Sequence, residues 1–241
     1  MSAYNESDSQ TETACPPPGM QVTQYGVPTM IFANRNEAAD QLAKHLAEYK
    51  GRHPLILAIP RGAVPMGQRL AQALEGELDV VLVRKLRAPF NPEFAIGSID
   101  ESGWIYLAEH AEAAGGTAAY LKQEKQAQLE TIRQRRARYT PLRPPIDPAG
   151  RIVIVVDDGL ATGATMISAL HALQAKRPAR LICAVPVAPP DTLERIREYA
   201  DDVVCLQAPA FFQAVGQFYA DFPQVDDSEV EAILKQTSPV L

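Results

Sequence analysis

The sequence predicts an α/β protein: a parallel sheet flanked by helices, with an inserted flap and long helix and a small C-terminal hood. Three observations carry this. Short apolar runs alternate with helical patterns, which is how βαβ units read along a chain. Every residue of Ile152–Val156 is β-branched and none is polar, as suits a strand covered on both faces. Residues 88–150 break that rhythm with hairpin chemistry and one long polar helix pattern.

At 241 residues the chain is long enough for one large domain, or one domain with an added subdomain. Residues 1–19 are polar, acidic and then Pro-rich. They lack the basic and apolar regions of a signal peptide and are expected to be a disordered leader to a domain over 20–241. Asn34–Lys50 carries apolar residues at helical spacing (Ala38, Leu42, Leu46, Ala47, Tyr49); Asn34 or Asn36 caps it and Gly51 ends it. Leu55–Ile59 reads as a short buried strand, Ala63–Leu74 as a helix closed by Gly76, and Asp79–Val83 as the next strand. Arg151–Val156, Leu181–Val185 and Val203–Leu206 supply three more strands, with a helix over Asp191–Ala200.

In the insertion, Ala95–Ile99 and Trp104–Leu107 flank Asp100-Glu101-Ser102-Gly103, a hairpin turn. Thr117–Tyr139 is a long helix rich in Lys, Gln and Arg, and Pro141, Pro144, Pro145 and Pro148 form a stiff linker back to the core. The whole insertion is expected to lie over the active site. The cluster Arg133–Arg138 fits a solvated helix face with cations near a C-terminus better than an RNA-binding patch, because no aromatic interleaves it. The hood, 207–241, holds the densest aromatic stretch, Phe211–Phe222, and a terminal helix over Asp227–Gln236.

Net charge is −6, so no general attraction to nucleic acid or anionic membrane is expected. No stretch has the length and apolarity of a membrane-spanning helix. Cys15, Cys183 and Cys205 give neither metal-ligand spacing nor an even disulfide framework, which fits a reducing cytoplasm. The four His residues are scattered and have no nucleophile beside them.

The chemistry concentrates in Val155-Val156-Asp157-Asp158-Gly159-Leu160-Ala161-Thr162-Gly163-Ala164-Thr165. Two carboxylates end a buried strand, where ligands of open parallel sheets bind. Carboxylates accept hydrogen bonds and hydroxyls donate them, so the pair suits a sugar diol. The Thr/Gly turn then opens a helix whose free N–H groups and positive dipole end suit a phosphate. Gly163 permits close backbone approach, and Thr162 and Thr165 can add hydroxyl donors. The plainer reading is that Asp158 and Thr162 cap a helix. No Lys follows Gly163, which excludes a Walker loop, and G-x-G-x-x-G is absent. Diol and phosphate together describe a ribose 5-phosphate.

These residues resemble the phosphoribosyl-diphosphate (PRPP) motif of type I phosphoribosyltransferases, in the Asp-Asp-x-x-Ala-Thr-Gly-x-Thr form of the adenine-type members. Across Arg84–Gly97 the chain is similar to a group of predicted bacterial phosphoribosyltransferases of unsettled substrate. The resemblance implies that Asp157 and Asp158 hold the ribose hydroxyls and that Ala161–Thr165 hold the 5-phosphate. It implies a pyrophosphate loop at Pro60-Arg61-Gly62, where Arg61 has fork geometry suited to phosphate, and further cations at Arg84-Lys85. Both also read plainly as surface features. It implies Mg²⁺, carried mainly by ligand phosphates and water with Asp157, Asp158 or Asp221 near it. Asp157, Asp158, Arg61 and Lys85 are the expected catalytic set, for transfer from PRPP to a nucleobase-like acceptor. The 6-oxopurine members carry an Asp where this chain has Ala161, so a nucleobase proton falls to another group, such as Glu93, Asp100 or Glu101. Phe212 is placed at the base by likeness to a purine-type segment, or else anchors the terminal helix. A non-catalytic regulator that binds PRPP or a nucleotide is the alternative function. A homo-oligomer is left open.

Overall fold

A computed structural model describes residues 20–22 and 28–237. The leader expected over 1–19, and Cys15 within it, lie outside the described residues. A small antiparallel pair comes first, β1 (Met20–Val22) with β2 (Pro28–Met30). Helix α1 (Arg35–His45) follows; Asn34, not Asn36, caps it, its side chain accepting from the N–H groups of Asn36 (3.0 Å) and Glu37 (3.1 Å).

Five parallel strands build the central sheet: β3 (Leu55–Ala58), β4 (Glu77–Val80), β8 (Ile152–Val156), β9 (Arg180–Val187) and β10 (Asp202–Gln207). Their order is β10-β9-β8-β3-β4. Alternate residues enter two separate apolar layers. Ile56, Ala58, Ile154 and Val156 face α1, α2 (Val64–Leu74) and α6 (Asp227–Thr237). Leu55, Leu57, Val153 and Val155 face α4 (Ala164–Gln174) and α5 (Pro190–Ile196). That double burial is why β8 has no polar residue: either face would leave it dry. Truncating Ile154, fully buried, to Ala should cost roughly 2–5 kcal/mol.

Where Asp79–Val83 read as one strand, the chain makes two. β4 ends at Val80, and β5 (Val83–Ala88) opens a second, antiparallel sheet with β6 (Asn91–Asp100) and β7 (Ile105–Leu107). Val80 to Val83 are all buried. An unbroken apolar run therefore hides the point at which the chain leaves one sheet for another. The second sheet begins ahead of the expected position 88, and Arg84 and Lys85 lie inside β5 rather than at the end of a core strand. The hairpin turn at Asp100–Gly103 is present, with Asp100 Oδ1 accepting from the N–H groups of Ser102 (2.8 Å) and Trp104 (3.1 Å).

Helix α3 (Ala118–Tyr139), capped by Thr117, lies on this second sheet. Lys125 donates to the Gly103 carbonyl (2.6 Å), and the Tyr120 hydroxyl donates to that of Arg87 (2.7 Å). The sheet is tied to α4 in turn. The buried Ser98 hydroxyl donates to the Ala164 carbonyl at 2.6 Å and sits 2.7 Å from the Ser168 hydroxyl. α5 is shorter than expected, ending at Ile196 rather than Ala200.

Candidate active site

β3 and β8 are neighbours, but the chain leaves them toward opposite edges of the sheet, β3 to β4 and β8 to β9. Loops that diverge from adjacent parallel strands leave a crevice at the carboxyl ends. A cavity of about 310 Å³ occupies that place. Pro60-Arg61-Gly62, after β3, forms one margin and Asp157–Gly163, after β8, the other. The Pro60–Arg61 peptide is cis.

Of the residues singled out from sequence, Arg61, Gly62, Arg84, Lys85, Asp157, Asp158, Ala161, Thr162, Gly163 and Thr165 all line this cavity. Ala164 is buried in the first turn of α4 beside them. Phe212 and Asp221 are not brought in. Phe212 packs on Phe218 at 5.2 Å, against the main core cluster. Asp221 is exposed, and its N–H donates to the Ala33 carbonyl at 3.0 Å. The side chain of Glu93 lies outside the described residues. Asp100 and Glu101 line a different cavity.

The acid pair is held by groups the sequence did not flag. Arg35, at the start of α1, donates from Nε (3.0 Å) and Nη2 (2.8 Å) to Asp158 Oδ2. Its Nη1 donates to the Pro223 carbonyl at 2.7 Å, and its guanidinium stacks 3.8 Å from the centre of the Phe222 ring. A cation fixed on three sides positions Asp158 without mobility of its own. Asp157 Oδ1 accepts the Asp158 N–H at 2.9 Å. These bonds leave one oxygen of each carboxylate outside them. The Tyr219 hydroxyl donates to the Asp158 carbonyl at 2.6 Å and secures the backbone. Nothing local marked Arg35, which lies 123 residues from its partner.

Burial pushes Asp157 well above the usual carboxylate range, and the charge of Asp158 pushes it the same way. Asp158 is raised by burial too, but Arg35 opposes the rise. Gly62 makes this packing feasible: a β-carbon there would meet Asp158 Oδ2 at 2.2 Å.

At the start of α4, Gly163 adopts φ +72° and the helix has no side-chain cap. Asp158 is turned to Arg35, and Thr162 Oγ1 reaches only the Ala164 N–H, at 3.5 Å. The first-turn amides thus keep the free donors an anion needs. The Thr192 hydroxyl fixes the loop from behind by donating to the Ala161 carbonyl at 2.7 Å.

Facing this loop stand Arg61, Arg84, Lys85, Arg87 and Arg135. Arg61 also pairs with Asp227 of α6 at 3.3 Å. Arg84 donates to Gln128 Oε1 at 3.0 Å. Burial holds Arg84 below the usual range, and the charges of Arg135, Arg87 and Arg61 add to that effect. Arg135 belongs to the cluster read from sequence as a solvated face. Only part of it is that: Arg133 pairs with Glu130 and Arg138 with Glu231 on exposed side chains, while Arg136 is partly buried against Glu101 and Arg135 enters the cavity. Helical period separates these fates, and the sequence alone did not say which face met the core.

A family model described as the phosphoribosyl transferase domain matches residues 29–223. The chain belongs to that family. Two Mycobacterium tuberculosis proteins, provisionally named phosphoribosyl transferases, are each 42% identical to it over 207 residues, 85% of this chain. The chain spans 46% of the length of each of these relatives. The crystal structure of TT1426 from Thermus thermophilus is 43% identical, with a TM-score of 0.73 over 87% of this chain and 100% of that one. The architecture is therefore that of a phosphoribosyl transferase domain. No described helix is long and apolar enough to cross a membrane.

Proposed function

We propose that the cavity binds PRPP with Mg²⁺ and that the protein transfers its phosphoribosyl group to a nitrogen of a nucleobase-like acceptor, releasing pyrophosphate. One observation carries the reading: adjacent strand ends bring an acid pair and an uncapped helix start to one cavity with five cations. A diol and two phosphoryl ends need those three things in one place.

In this reading the free carboxylate oxygens of Asp157 and Asp158 accept from the ribose hydroxyls. The amides of Gly163–Thr165 hold the 5-phosphate. The acceptor nitrogen forms a bond to C1 as the C1–O bond to pyrophosphate breaks, and that electron pair leaves with the diphosphate. Positive charge develops on the ring, as in glycoside cleavage. Negative charge develops on the leaving group, where Arg61, Arg84 and Lys85 stabilise it and Arg87 and Arg135 join them. The side chain at Ala161 cannot take the acceptor's proton, which passes instead to the departing diphosphate or to water.

The described residues hold no group of three or more His, Cys, Asp or Glu fit for a metal. In this reading the ion arrives on the diphosphate, with water and at most the acid pair as protein neighbours. When bound, Mg²⁺ would neutralise charge on the departing pyrophosphate. Asp221, away from the cavity, is not needed for this.

The test has two parts. PRPP with Mg²⁺ should raise the melting temperature, and no shift at millimolar ligand counts against the site. A screen of nucleobases for pyrophosphate release should then name the acceptor. Tight PRPP binding with no release on any base would make the protein a regulator instead.

A further inference from the structure

The first turn of α6 reaches the active cavity through Asp227, whose Oδ2 pairs with Nη1 of Arg61 at 3.3 Å. That contact leaves Nε and Nη2 of Arg61 outside it. These two nitrogens share one edge of the guanidinium, and their parallel N–H bonds match a pair of phosphate oxygens. The helix does not need the Asp227 carboxylate as its own cap. Asp226, just ahead of α6, serves there, its Oδ1 accepting the Glu229 N–H at 2.9 Å.

α3 fixes Asp227 from the other side. The Tyr139 hydroxyl donates to Asp227 Oδ1 at 3.0 Å, and Tyr139 is only 1% exposed. Arg138 Nη1 lies 3.6 Å from Asp227 Oδ2. Arg138 is itself held by Glu231, one turn further along α6, through Nε at 2.9 Å. A buried phenol and a second Arg thus set the carboxylate, and the carboxylate sets Arg61. The same end of α3 sends Arg135 into the cavity. One junction of two helices therefore orders two of the five cavity cations.

Asp227 has two opposed effects on a diphosphate. Its negative charge repels the ligand. Its hold on Arg61 removes rotamer freedom that a loose Arg would have to lose on binding. The paired side chains are 27% and 25% exposed, so solvent screens the repulsion. Ordering depends on contact and is not screened. We propose that Asp227 is a positioning residue for the diphosphate half of the site. It retains Nη1 of Arg61 and presents the Nε–Nη2 edge to the leaving group. The proposal rests on the PRPP reading above. It makes α6 a working part of the site at the diphosphate end.

The experiment measures binding of inorganic pyrophosphate with Mg²⁺, and of ribose 5-phosphate, to the full chain by calorimetry. Asp227→Asn keeps an oxygen for Tyr139 and removes the charge that holds Arg61. It should weaken pyrophosphate by about three- to tenfold and leave ribose 5-phosphate unchanged. In an Arg61→Gln background the same substitution should cost nothing further, because there is no guanidinium left to place. Losses that add, or that fall equally on both ligands, would make Asp227 a structural residue and overturn the proposal. Tighter pyrophosphate binding by Asp227→Asn would show that repulsion dominates, and overturn it too. A parent chain that binds neither pyrophosphate nor PRPP removes the PRPP reading and this proposal together; intact parent binding with additive losses removes this proposal alone. Should Asp227→Asn fail to fold, Tyr139→Phe takes its place, since it frees Asp227 Oδ1 and keeps the ring in the core. A smaller loss of the same pattern is then expected, and no loss overturns the proposal.

Discussion

One side of the active cavity comes from a single stretch, Asp157–Thr165, and contains no cation. The other carries Arg61 from the β3 loop, Arg84, Lys85 and Arg87 from β5, and Arg135 from α3. Under the proposed function, the first binds by backbone amides, hydroxyls and two acids set in place before any ligand arrives. The second would bind by point charges on long side chains, with Lys85 and Arg87 exposed. Preorganised donors need no rearrangement, and screening reaches them little. Exposed cations are screened by salt and must order themselves on binding. Geometry should therefore dominate on the first side and summed charge on the second.

Substitution at the acid pair tests the contrast most severely. Asp157→Asn should weaken PRPP binding by about 100-fold, the loss of roughly one charge-assisted hydrogen bond, as read by calorimetry. The same change should stabilise the empty protein. The folded pKa of Asp157 is raised, so the native state binds its proton more tightly than the unfolded chain does. That contribution is fully present below the unfolded value and is lost as pH rises through the folded one. Asn has nothing to lose, so its melting temperature should exceed that of the parent at neutral pH and converge on it in acid. A variant less stable at neutral pH would mean that the pair is not strained.

Gly62→Ala should come next. Its methyl would lie 2.2 Å from Asp158 Oδ2 and 3.3 Å from Arg35 Nη2, forcing the ion pair apart. The expected cost is roughly 1–3 kcal/mol of stability, together with at least tenfold in PRPP affinity. Wild-type affinity would show that the Arg35–Asp158 geometry does not matter to the ligand.

Gly163→Ala meets both a positive φ of +72° and Thr192 Cγ2 at 2.8 Å. Denaturant melts should show a loss of roughly 1–2 kcal/mol. PRPP affinity should fall severalfold as the helix start moves.

The smallest effect belongs to the charged side. Arg135→Gln should raise KM for PRPP by about three- to tenfold and flatten its salt dependence, since four cations remain. Arg133→Gln, exposed and paired with Glu130, should change neither. An Arg135 effect as large as that of Asp157 would erase the distinction between the two sides.

The same contrast explains what could be read in advance. The β8 strand, the acid pair and the turn into α4 are contiguous, so their chemistry was legible as a string. Arg61 and Arg84-Lys85 gained meaning only beside that string. Arg35 gave no signal, because a lone Arg opening a helix looks like any surface cation until Asp158 is folded onto it. Arg135 was misjudged with its neighbours, since four Arg residues on one helix turn toward four surroundings. Phe212 was placed by likeness of segment, yet its ring packs on Phe218 instead of reaching the cavity.

The sequence by itself determined the layered α/β architecture, the strand that carries the acids, the turn into the following helix and the hairpin turn. Each depends on neighbours within about one element's length, where periodicity and turn chemistry act. Only the tertiary structure decided that β4 and β5 belong to different sheets, which Arg of α3 enters the cavity, and that Arg35 grips Asp158. Those outcomes depend on contacts between segments far apart along the chain, and side-chain type carries no information about a partner that distant.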